Sequence, residues 1–214
     1  MKPIDDPSVT ALPLARYNSI MNEIADRLDI VGAVNSGFVA QDPQLKAEIC
    51  FLQLRKICEL IALGCLHAHG DLGKGIHSSL LKKWHVNDIV RALRTLGDDF
   101  YPVPVVITNR DGAAEINNPE PCPILDKGCL IKLYNDASSV LHRGSLKKLF
   151  DGKTVDASPQ IEDASKRIVA LLTQHRINLV GYDRQLYCTV KDARTYRAAS
   201  FIAQSPKNRA EKPP

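Results

Sequence analysis

Residues 13 to 31 place Leu14, Tyr17, Ile20, Met21, Ile24, Leu28 and Val31 three and four apart. That spacing gathers them on one side of an α-helix, and Pro13 suits its first turn. The next apolar segment opens with Asp42 as an N-cap and Pro43 at the first helical position, then stays apolar on nearly every side as far as Gly70. It predicts a central, buried helix, on which Arg55 and Glu59 stand one turn apart and can pair. Residues 77 to 97 predict two more helical pieces. The second has Val86, Ile89, Val90, Leu93 and Leu96 on one side and Gly97 as its stop.

The period then changes. The β-branched run Val105, Val106 and Ile107, a polar turn from Asn109 to Gly112, and a second run from Ala114 to Asn117 predict a hairpin. Pro102 and Pro104 confine its first strand to a sheet edge. After the loop "NPEPCP" a helix is predicted from about Gly128 to Leu141, and another from Pro159 through Arg176. A second hairpin follows over 177 to 190, turning near Asp183 and Arg184, and residues 194 to 203 add one more strand. The fold class is therefore α+β, mainly helical: a helical bundle with two β-hairpins forming a small antiparallel sheet. Residues 1 to 12 are expected to be a flexible N-terminus, 13 to 203 one domain, and 204 to 214 a disordered tail.

Composition narrows the class. At 214 residues, 44% apolar and 24% charged, the chain is long enough for a substantial core. No stretch approaches the roughly 18 uninterrupted apolar residues of a membrane span, and "MKPIDDPSVT" lacks the apolar core of a secretory signal. A soluble, cytoplasmic protein without membrane contact is expected. Cys50, Cys58 and Cys65 fall on one helix face, where free cysteine packs as a small apolar residue, and no Cys-x-x-Cys pair points to a structural zinc. The net charge of +4 is unevenly placed: residues 1 to 107 carry 11 basic and 12 acidic side chains, residues 127 to 214 carry 16 and 8. An acidic partner, RNA or DNA among them, would be met on the C-terminal part.

The densest metal-capable set is Cys65, His67, His69, Asp71 and His77. Two histidines two apart diverge on a continuing helix and converge only if it stops at Gly70; histidines at a helix C-terminus that bond its free carbonyls are the simpler account. No metal or other cofactor is assigned. "GDLGKG" at 70 to 75 has the glycines and lysine of a phosphate loop, but no Ser or Thr after the lysine and no preceding strand; it reads as a turn between helices. Ser138 and Ser139 near His142 lack a nucleophile elbow.

Two basic surfaces remain. His142 ends a helix beside Arg143, with Lys147, Lys148 and Lys153 following, so an imidazole and a guanidinium can meet one phosphate. Further on, Tyr182, Arg184, Tyr187, Lys191, Arg194, Tyr196 and Arg197 interleave tyrosines with cations, as a surface that stacks bases and neutralises phosphates would. The nucleic-acid candidates are Arg143, Lys147, Lys148, Arg184, Tyr187, Arg194, Tyr196 and Arg197.

The long apolar helix bearing Glu59, followed by a helix running from Tyr134 and Asn135 to His142, resembles the helical HEPN domains over roughly residues 13 to 175. Many of these are ribonucleases of toxin and defence systems, others inactive binding relatives. The resemblance implies a catalytic His142, acting as general acid or base. Active members also carry an arginine about a turn ahead of that histidine; here positions 135 to 137 are Asn, Asp and Ala. The leading expectation is thus a non-enzymatic binding protein with a basic C-terminal half. A ribonuclease using His142 is the alternative. A homo-oligomer or complex subunit, in which another chain covers the apolar helix of residues 45 to 66, is the third.

Overall fold

The computed structural model describes residues 7–37, 42–72, 85–110, 113–142, 156–179 and 181–204. Two long helices, α1 (Pro7–Asn35) and α2 (Pro43–Asp71), form its spine. They run antiparallel: Arg16 meets Asp71 at 3.3 Å, Arg27 meets Gln53 at 2.7 Å, and Cys50 Sγ lies 3.8 Å from the Val31 carbonyl. Gly64 permits the close approach, since a Cβ there would stand 3.2 Å from Met21 Cε. Helix α1 begins at Pro7, ahead of the predicted start, so Pro13 sits inside it. Its missing N–H forfeits one helical bond, while its carbonyl accepts from His67 Nε2 at 2.8 Å.

Asp42 caps α2 as predicted, accepting from the Leu45 N–H at 2.8 Å, with Pro43 in the first turn. Leu54, Ile57, Cys58 and Ile61 are all but fully buried. Their cover comes from α1, α3 (Val86–Arg94), α4 (Lys127–Leu141) and α5 (Ser158–Leu172) of the same chain. Asp126 caps α4 by accepting from the Cys129 N–H at 2.8 Å, which holds its carboxyl below the usual range. The predicted helical piece at 78 to 84 lies outside the described residues.

The architecture is α+β and mainly helical. The two hairpins, however, belong to different sheets. Strands β1 (Val103–Pro104), β4 (Gln174–Asn178), β5 (Arg184–Thr189) and β6 (Ala199–Gln204) form an antiparallel sheet in the order β1-β4-β5-β6, while β2 (Val106–Arg110) and β3 (Ala113–Asn117) pair only with each other. Pro104 lies in β1, an edge strand of the four-stranded sheet, and not in the hairpin's first strand, which is β2. The helix predicted through Arg176 stops at Leu172. From Gln174 onward burial alternates residue by residue, and backbone bonds go to β1 and β5 instead of along a helix.

Candidate functional site

Alternation gives the four-stranded sheet two unlike faces. His175, Ile177, Leu186 and Cys188 point into the core, and all four are fully buried. The opposite face carries Gln174, Arg176 and Asn178 on β4, Gln185, Tyr187 and Thr189 on β5, and Ala199, Phe201 and Ala203 on β6. Arg176, Tyr187 and Phe201 are direct partners across three strands, with Val103 of β1 completing the row.

The β2–β3 hairpin stands against this outer face. Gln174 fastens it: its Oε1 accepts from the Ile107 N–H at 2.9 Å and its Nε2 donates to the Ile107 carbonyl at 3.3 Å, as a neighbouring strand's peptide would. Between hairpin and sheet lies a cleft of about 410 Å³, with Val105, Ala114, Ile116, Tyr187 and Phe201 as apolar walls and Arg176, Asn117 and Asn118 as polar groups. The Tyr187 and Phe201 rings stack, with centres 5.2 Å apart and planes 15° from parallel. Tyr187 donates its hydroxyl proton to Gln185 Oε1, and Gln185 Nε2 in turn donates to Asn178 Oδ1 at 2.7 Å. Burial raises the Tyr187 pKa, with the nearby Arg176 charge pulling the other way. Among the described residues no carboxylate forms an ion pair with Arg176.

The expected site residues are scattered around this cleft. Tyr187 is buried under Phe201, so it backs the surface instead of presenting its own ring. Arg184 opens β5 on the core-facing side of the alternation. Arg194, Tyr196 and Arg197 lie in a tight turn before β6, not on a strand, because Asp192 folds the chain back: its carboxylate accepts from the Arg194 N–H at 2.9 Å and its carbonyl from the Tyr196 N–H at 2.8 Å. Tyr196 is 79% exposed at φ 54°, a left-handed conformation rare for a bulky residue. Arg197 reaches Asp26 at 3.8 Å and Lys191 reaches Asp29 at 2.9 Å, so acids of α1 partly neutralise this turn.

At the other basic surface, His142 is the exposed C-cap of α4, as its sequence position indicated. Arg143, Lys147, Lys148 and Lys153 lie outside the described residues. Glu59 and Tyr134 meet through Arg55, which stands 3.4 Å from Glu59 and 5.3 Å from the Tyr134 ring centre. His142 is two turns further along α4, about 12 Å by helix rise, and is not in that cluster.

Because α2 continues through Asp71, His67 and His69 diverge. His67 donates to the Pro13 carbonyl and His69 to the Phe100 carbonyl at 3.1 Å, and burial lowers the His69 pKa. His77 and the end of the glycine-rich segment, 73 to 75, lie outside the described residues. Within the described residues no group of three or more His, Cys, Asp or Glu side chains is placed to hold a metal. A larger cavity of about 890 Å³ separates α2, α4 and α5. Its charged lining residues pair among themselves, Lys132 with Asp136 and Arg167 with Asp163, leaving no uncompensated charge to select a ligand.

Sequence reasoning missed Arg176 and Phe201. Arg176 was assigned to a helix end, and Phe201 to a strand with no known partner. The available signal was the alternation of "QLYCT" and "SFIA", which aligns Tyr187 with Phe201 once the two segments pair. No described helix is long and apolar enough to cross a membrane. No protein-family model, curated protein or solved structure matches this chain.

Proposed function

We propose that this is a cytoplasmic, non-enzymatic protein that binds RNA or DNA through its basic C-terminal part, centred on the outer face of the four-stranded sheet. The observation that carries this reading is the row Arg176, Tyr187 and Phe201: a guanidinium with no ion-pair partner among the described residues, beside an aromatic stack and in register across three strands. Exposed Arg194 and Tyr196, at the turn before β6, supply further phosphate and ring contacts. Six free cysteines, four of them buried, suit a reducing compartment. Burial raises the Cys65 and Cys188 thiols to about 12, so they serve packing and not nucleophilic chemistry.

The test is a fluorescence titration against single-stranded RNA at two salt concentrations, followed by a gel of the RNA. Binding that weakens steeply with salt, with the RNA intact, supports the reading. Salt-independent binding, no binding, or cut RNA overturns it.

A further inference from the structure

The outer-face cleft is specific in size and shape, and its occupant can be narrowed. A volume of about 410 Å³ is at the lower end of small-ligand sites and suits a nucleoside-sized group. Its wall is built as an ordered stack. Tyr187 is fixed from behind by Gln185 and Asn178, and Phe201 lies flat on it. Because β6 is the last strand of the sheet, the far side of Phe201 has no further strand beside it, and the residue is 37% exposed. Ile116, on the hairpin wall of the same cleft, is 36% exposed, so apolar surface on both walls is open to a planar ring.

The polar groups narrow the choice further. A purely apolar ligand would leave the Arg176 charge unmatched, and a bare anion would leave Phe201 uncovered. Asn117 and Asn118, which line the same cleft, carry amides that donate and accept, as base edges require. Adjacent strands lie about 4.8 Å apart, so Arg176 and Phe201 are separated by roughly 10 Å of sheet and a ring on the open face of Phe201 stands about 4 Å further, a span that one nucleotide and the extended Arg176 side chain cover together. In a duplex the base faces are already stacked, and only an unpaired base can lay its ring on Phe201.

We propose that this cleft seats one unstacked nucleobase of a single-stranded chain, with the ring on the open side of Phe201 and the adjoining phosphate on Arg176. The inference rests on the binding function proposed above and adds the strand state and the contact residues. Phe201 and Arg176 touch the ligand; Tyr187 is a positioning residue behind Phe201.

The experiment compares a labelled oligouridylate with an abasic chain of the same length, titrated against the whole protein and against Phe201→Ala, Phe201→Tyr and Arg176→Gln. The oligouridylate should bind Phe201→Ala roughly tenfold more weakly and Phe201→Tyr nearly as well as the parent. The abasic chain should be indifferent to both. Arg176→Gln should lower the slope of log affinity against log salt by about 1. An oligouridylate indifferent to Phe201→Ala, or an abasic chain bound as tightly as oligouridylate, overturns the base seat while leaving polyanion binding standing. Absence of binding by either chain overturns both. Phe201 lies on an edge strand and is partly exposed, and retention by Phe201→Tyr separates loss of the ring from loss of the fold.

Discussion

The hydroxyl of Tyr17 lies 2.6 Å from Nε2 of His175, a fully buried contact joining α1 to β4 across 158 positions of chain. His175 Nδ1 lies 2.9 Å from the Leu172 carbonyl, which can only accept, so the proton is on Nδ1 and Tyr17 donates to Nε2. The neutral imidazole is thus satisfied at both nitrogens. Burial pushes its pKa down to about 4. Core-side geometry of β4 depends on this pair, and β4 also carries Arg176 on its other face.

This predicts acid sensitivity. Between about 4 and the ordinary value of 6.5 the unfolded chain holds a proton on this histidine and the folded chain does not, so stability rises with pH across that window. Acidification from 6.5 to 4 should remove up to about 3 kcal/mol through this residue and little more below it. Urea unfolding at neutral pH and at several acidic pH values measures the loss, and His175→Phe should flatten the dependence.

Tyr17→Phe leaves a buried Nε2 acceptor without a donor. The expected cost at neutral pH is about 1–3 kcal/mol, measured by chemical denaturation, with helical content unchanged.

Gln174 is the fastening of the hairpin that roofs the cleft. Gln174→Ala removes both bonds to Ile107 and should cost about 1 kcal/mol. Its distinguishing mark is local: amide exchange at Ile107 should quicken roughly fivefold or more, while core amides of α2 change only with global stability.

The long helices were legible because their apolar residues recur at helical spacing and their caps are explicit, Asp42 with Pro43 above all. The split into two sheets was not, because strand pairing between segments seventy residues apart leaves no local trace: Val103 meets Arg176 only in the folded chain. The misassigned stretch, 174 to 176, has a similar cause. No glycine or proline marks the turn at Thr173, and His175 looks polar until its Tyr17 partner is known. His142 at a helix end was readable from Tyr134, Ala137 and Gly144, whereas the Arg176 and Phe201 surface depended on that unmarked pairing.

The acids of α1 restrain the basic turn. Asp29→Asn frees Lys191 from its 2.9 Å partner and removes a like charge for any polyanion, so affinity for single-stranded RNA should rise roughly threefold at low salt. The gain should shrink as salt increases. A titration series over ionic strength reads both.

Photo-crosslinking of oligouridylate to the purified protein, with the modified peptides sequenced by mass spectrometry, bears most directly on where nucleic acid binds. Crosslinks at Phe201, with a weaker set at Tyr196, are the result predicted here. Crosslinks confined to the region of His142, with Phe201 unmodified under conditions of saturated binding, would contradict the assignment of the sheet face.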